Sequence, residues 1–205
     1  TSESCGRMSM KHKIERADIV PMETYGPERP ERRRAIINYK RGRRLEVGPV
    51  AAFYFENHTT MLSQIQEMLW IEKGGEAQIT DELAAYNPLI PQGQELVATM
   101  MFEIADETRR QSILSRLGGV EEMVTLEIDG QKISAVPERE EGIERTRRDG
   151  KTSSVHFLHF PFQADLIETF RKPGTRIVAA IEHKEYAHMA VLPEAMRQAL
   201  AEDFD

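Results

Sequence analysis

The sequence predicts a single α+β domain in which several helices pack on a mainly antiparallel sheet with hairpins. Three observations carry that expectation. Apolar residues alternate in short runs such as Leu96, Ala98, Met100, Phe102 and Ile104, the period of a strand. Two such runs flank Asp129-Gly130, a dipeptide suited to a tight hairpin turn. Strands and helices otherwise mix without the regular alternation of a doubly wound sheet. Residues 1–13 read as a flexible tail and 14–205 as the domain, long enough to bury one sizeable core.

Taken in order, Ile14 to Tyr25 combines a short helical turn with Pro21 and reads as an anchoring segment. Arg29 to Arg44 is a basic block, with Arg32, Arg33 and Arg34 in tandem. Pro30 suits a first helical turn, Ala35, Ile36, Ile37 and Tyr39 supply an apolar side, and Gly42 ends the helix. Leu45 to Val47 and Val50 to Phe55 read as strands around Gly48-Pro49.

The stretch from Glu56 to Lys73 is the densest in specific polar residues. Asn57, Thr59 and Thr60 offer oxygens that cap a helix. Met61, Ile65, Met68 and Leu69 then recur at helical spacing, with Leu62 beside them, and should face the core. Thr60, Gln64 and Glu67 share a polar flank, while Ser63, Gln66 and Trp70 lie on a third side. Such a flank is ordinarily solvated surface. The functional alternative is a cleft lined by Asn57, Thr60, Gln64 and Glu67 together with Tyr86 and Asn87. Trp70 is either covered by another element or an interface anchor. Gly74-Gly75 is expected to end the helix.

A second helix is expected from Thr80-Asp81-Glu82 to Asn87-Pro88, and a loop with two prolines leads to the strand at Leu96. Asp106 caps a helix that buries Ile113, Leu114 and Leu117 and stops at Gly118-Gly119. Around Asp129-Gly130, a two-residue turn sets Leu126 opposite Ile133, Val124 opposite Ala135 and Glu127 opposite Lys132. Pro137 to Thr152 is charged and reads as a surface loop. Val155 to Phe160 is apolar on both faces and suits an interior strand, with His156 on one face and His159 on the other. A helix from Ala164 to Arg171, a hairpin around His183 to Tyr186 and an amphipathic helix opened by Pro193 complete the chain.

The formal charge of −7 argues against bulk nucleic-acid binding. Cys5 is the only cysteine, so an internal disulfide or a self-held iron–sulfur cluster is not expected, and a reducing cytoplasm fits. No apolar run reaches membrane-spanning length, and the first residues hold no apolar segment of a signal peptide.

No Walker-type loop, GxGxxG, HExxH, CxxC or GxSxG pattern occurs, so no catalytic signature is legible. Metal binding is the remaining enzymatic idea. His156, His159, His183 and His188 cluster in the last third, and Glu67 or Glu103 could join them in space. His156 and His159 project from opposite faces of one strand. His183 and His188 share a face only if their hairpin turn is two residues long. The ordinary reading of each is a structural or surface histidine.

Together these motifs resemble a bacterial family known as domain of unknown function 3501. The matching residues are Ile14-Arg16-Asp18-Ile19, Glu56-Asn57 with Thr60, Gln64 to Leu69, Tyr86-Asn87 with Leu89-Ile90-Pro91, Glu95-Leu96, Phe102-Glu103-Ile104, Thr152 to Phe160 with His156, and Leu192 to Ala195. The resemblance implies no reaction. It implies a redox or oxidative-stress setting, with a rubrerythrin-like diiron protein and an iron–sulfur subunit resembling heterodisulfide reductase as partners. Two expectations follow. One is an accessory protein without an intrinsic cofactor, docking through Arg32, Arg33, Arg34, Trp70 and the charged loop. The other is a metal-dependent enzyme or metal-binding protein with a site near Gln64, Glu67 and His156.

Overall fold

The computed structural model describes residues 11–139, 145–146 and 149–205. Among the described residues, nine strands form two antiparallel sheets. β1 (Arg44–Val47), β2 (Ala51–Glu56), β3 (Glu95–Phe102), β6 (Val136–Pro137) and β7 (Val155–Pro161) build one, in the order β1-β2-β3-β7-β6. β4 (Val124–Ile128), β5 (Gln131–Ser134), β8 (Ile177–His183) and β9 (Tyr186–Val191) build the other, in the order β5-β4-β8-β9. The alternating runs account for this directly. Phe53, Phe55, Leu96, Ala98, Met100, Leu158 and Phe160 from the larger sheet meet Val124, Leu126, Ile128, Ile177, Ala179 and Ile181 from the smaller one in a single apolar core. Helices α5 (Ala164–Arg171) and α6 (Glu194–Ala201) add Phe170, Met196 and Leu200 to it.

The outer face of the five-stranded sheet carries a helical layer. α2 (His58–Glu72) and α3 (Gly75–Tyr86) bury Met61, Ile65, Leu69 and Ile79 with Ile14, Ile19, Leu89, Ile90 and Val97 in a second apolar cluster. α1 (Met22–Arg41) lies on α2 and buries Tyr25 alone. The short helix α4 (Glu107–Leu114) is capped by Asp106, whose side chain accepts from the Arg109 amide.

The Asp129-Gly130 hairpin forms in the expected register. Leu126 faces Ile133, Glu127 faces Lys132, and the Ala135 amide donates to the Val124 carbonyl. Both turn residues have positive φ, 47° and 88°, as a twisted two-residue turn requires. The β8–β9 turn is also two residues long, because His183 pairs with Tyr186.

Several boundaries differ from expectation. α1 starts at Met22, not near Pro30, and runs through Pro27 and Pro30. Each proline removes a helical hydrogen bond, so contacts with α2 hold a segment that propensity disfavours. Lys73, with φ 56°, takes the left-handed cap expected of Gly74-Gly75, and α3 begins at once at Gly75, ahead of Thr80. α4 ends at Leu114, before the glycine pair. Part of the charged segment from Pro137 to Thr152 lies outside the described residues. At its ends, Val136–Pro137 adds an edge strand to β7, and Thr152 is buried.

Candidate functional site

The helical layer holds most of the predicted site residues, but not in one cleft. α1 and α2 run antiparallel: Gly26 meets Trp70, Arg29 meets Glu67, and Tyr39 meets Asn57. Their contact is made by polar groups at helical spacing. Arg29 donates from Nε and Nη2 to the two Glu67 oxygens, both at 2.9 Å, and the Tyr25 hydroxyl donates to Glu67 Oε1 at 2.6 Å. These hydrogen bonds, from Arg29 first, hold the Glu67 carboxyl below its usual range despite burial. Burial and then Glu67 push the Tyr25 hydroxyl up.

Asn57 and Thr60 are occupied by the start of α2. The Asn57 side chain accepts from the Thr60 amide, and Thr60 Oγ1 accepts from the Asn57 amide. Asn57 Nδ2 also donates to Asp203, which is buried against Arg43, and to the Tyr39 hydroxyl at 2.7 Å. Arg43 Nε donates to the Phe55 carbonyl, so this network ties the sheet edge, α2 and the C-terminal segment together. Burial raises the Asp203 carboxyl, and Arg43 opposes that shift.

Asn87 lies elsewhere, pairing with both backbone groups of Ile14 at 2.8 and 3.0 Å. Tyr86 packs at the margin of the second cluster. Gln64 is half-buried, whereas Gln66 is fully buried and holds both backbone groups of Val20 at 2.9 Å. The proposed joint cleft of Asn57, Thr60, Gln64, Glu67, Tyr86 and Asn87 is therefore split among separate networks. α1 engages the α2 surface that carries Ser63, Glu67 and Trp70, and Gln66 beside it holds Val20 just ahead of α1.

Trp70 is partly covered by α1. A Cβ on Gly26 would come within 2.8 Å of its ring, so the glycine is what admits the indole. The Tyr25 ring lies 6.2 Å away, and the Arg29 guanidinium lies 5.8 Å from the indole centroid. Of the three tandem arginines, Arg32 pairs with Glu28, Arg33 reaches Glu67 at 4.0 Å, and Arg34 is exposed.

The histidines occupy different places. His156 is buried on the inner face of the larger sheet, opposite the helical layer, so it cannot share a site with Gln64 and Glu67. Its Nε2 lies 2.9 Å from the Ser153 carbonyl and must carry the proton, leaving Nδ1 without a hydrogen-bond partner, 3.9 Å from Glu121. His159, on the outer face, sits between Glu95 at 2.9 Å and Glu138 at 2.6 Å. His183 contacts the Gly118 carbonyl at 3.2 Å, and the His188 ring packs at a tilt against Tyr186 with centroids 4.5 Å apart. The hairpin does set His183 and His188 on one face, but they make separate contacts. Glu103 is engaged by Arg44 and Tyr54. Among the described residues, no group of three or more His, Cys, Asp or Glu side chains is placed to hold a metal ion.

Sequence reasoning missed Tyr25, Arg29, Tyr39, His58 and Gln66. The available signal was the spacing of Ser63, Glu67 and Trp70, which marks the α2 surface that α1 covers.

A two-sheet α+β domain with a polar-stitched helical layer is the class this architecture defines. The chain belongs to the family described as protein of unknown function DUF3501, whose pattern matches residues 13–204. It is similar to a crystal structure from Burkholderia pseudomallei K96243 described as a novel protein of unknown function. The two are 33% identical, with a TM-score of 0.85, over 94% of this chain and 100% of that chain. No curated protein matches. No described helix is long and apolar enough to cross a membrane.

Proposed function

We propose that this protein is an accessory component of a redox or oxidative-stress system and docks on an acidic partner through the outward face of α1. One observation carries the reading. Arg34, Ile37 and Arg41 are exposed away from the α2 contacts, Arg33 is exposed at their margin where it also reaches Glu67, and Ile37 keeps 49% of its surface open. A basic stripe around an apolar residue, on a chain of net charge −7, is complementary to an acidic surface with an apolar contact point. Ile37 thus takes the anchoring role in this reading, since Trp70 is partly covered by α1. The family resemblance supplies the partner class: the rubrerythrin-like diiron protein and the heterodisulfide-reductase-like iron–sulfur subunit.

The test is binding of the purified protein to each purified partner from the same host, at low and high salt. The expected result is a low-salt complex that dissociates at high salt and is lost in an Arg33→Glu/Arg34→Glu/Arg41→Glu variant. Absence of a low-salt complex, or an unchanged complex with that variant, removes the proposal.

A further inference from the structure

We infer that the cleft between α1 and the first half of α2 binds a small organic anion with an apolar body, of the class of carboxylate-bearing aromatics. The inference does not rest on the docking proposal, because it uses the other side of α1. Arg32, Ala35, Ile36 and Tyr39 recur at i, i+3, i+4 and i+7 and line the cleft, whereas the docking stripe lies on the opposite face.

The cleft has a volume of about 370 Å³, within the roughly 300–1,000 Å³ of small-molecule sites. Small side chains keep it open, Ala35 on α1 and Ser63 on α2. Val20, Ile36 and Leu62 give it apolar walls. Gln66 fixes the Val20 wall, its side-chain amide accepting from the Val20 N–H and donating to the Val20 carbonyl.

Polar residues with unused capacity line this apolar space. His58 lines the cleft, and its buried Nε2 has no hydrogen-bond partner among the described residues. An orphaned buried ring nitrogen is costly, and a turn of the ring toward the cleft would let a ligand oxygen satisfy it. The Tyr39 hydroxyl accepts from Asn57 at 2.7 Å, which leaves its own proton to donate. Ser63 adds a further hydroxyl. Burial keeps His58 below its ordinary pKa, so near neutral pH it contributes a hydrogen bond and not a charge.

Charge sets the ligand class. Arg32 is the one lining residue with a formal charge at neutral pH, and no Asp or Glu lines the cleft of this acidic chain. Its partner Glu28 is about half exposed, 48% against 46% for Arg32, and exposed pairs exchange at little cost. An anionic group can therefore take the Arg32 guanidinium in a charge-assisted hydrogen bond while the rings fill the space beside Ala35.

The probes are 8-anilinonaphthalene-1-sulfonate and its uncharged counterpart N-phenyl-1-naphthylamine, titrated by fluorescence on the folded full chain. The sulfonate is expected to bind one to one, about tenfold tighter than the neutral probe. Arg32→Glu should weaken the sulfonate by about tenfold and leave the neutral probe within about twofold. Ala35→Trp, at an exposed helix position, should abolish both, and His58 ring signals in NMR should shift on saturation. An Arg34→Glu/Arg41→Glu variant should leave the titration unchanged, which separates this site from the docking face. Unsaturable binding, equal affinity for the two probes, binding that survives Ala35→Trp, or unmoved His58 signals at saturation would each overturn the assignment.

Discussion

On β7, His156 and His159 sit three residues apart and face opposite layers. The inner layer around His156 is closed. Leu158 and Phe160 beside it are fully buried, and apolar side chains from both sheets fill the space. The outer layer around His159 is half-open and polar, with the Glu95–His159–Glu138 cluster, Glu56 bonded to Thr99 at 2.8 Å, and Glu67 held by Arg29 and Tyr25. Density of apolar contact fixes the inner side. On the outer side, polar pairs that can be broken one at a time join the second apolar cluster in holding the helices, and there the cleft and the basic stripe lie.

That difference predicts unequal costs for removing a charge. Asp203 is 1% exposed, with Arg43 and Asn57 on its carboxylate. Asp203→Ala leaves Arg43 buried without its counter-charge, and we expect a loss of about 3–5 kcal/mol in denaturant unfolding. Glu67 and Arg29 are 19% and 25% exposed. Glu67→Gln should cost only about 1 kcal/mol globally. Its larger signature should be faster amide exchange in the first half of α1, which already spans two prolines. Equal global losses for the two variants would end the distinction between a closed and a half-open side.

Legibility in the sequence divides along the same line. The Asp129-Gly130 hairpin was readable because its information is local: turn chemistry, alternation and register agree within thirteen residues, Val124 to Val136. Its side-chain partners were less so. Lys132 sits opposite Glu127 as expected, but its ion pair goes to Glu182 at 2.8 Å on β8, and Glu127 takes Arg176. The neighbour across β4 comes from a distant part of the chain. Tyr186 shows the same limit. Its hydroxyl accepts from the Val50 and Ala51 amides and donates to the Val47 carbonyl, which no local pattern indicates. In the helical layer, α2 presents two polar flanks of similar composition. Which one α1 covers depends on where α1 docks, so Gln64 and Gln66 were indistinguishable before the fold placed that helix.

The smallest expected effect concerns pH, because the two histidines oppose each other. Burial holds His156 below its ordinary value of 6.5, a shift that the Glu121 charge only partly offsets. Burial also pulls on His159, but its hydrogen bonds and charge contacts with Glu95, and then with Glu138, outweigh that and raise it. A base whose folded pKa is lowered takes up its proton more readily when unfolded, so its stability contribution falls as pH drops below about 6.5. A base whose folded pKa is raised holds its proton in the fold, so its contribution is full below about 6.5 and is lost as pH rises through the folded value. Together the pair contributes a shallow stability maximum near pH 6.5, with the acid limb due to the closed face and the alkaline limb due to the half-open one. His159→Gln should flatten the alkaline limb alone. Because Glu138 follows the edge strand β6, that limb should coincide in the parent protein with faster amide exchange at Val136 and Glu138, while the amides of Leu158 and Phe160 stay protected. An alkaline limb that persists in the variant would mean that another group governs the outer face.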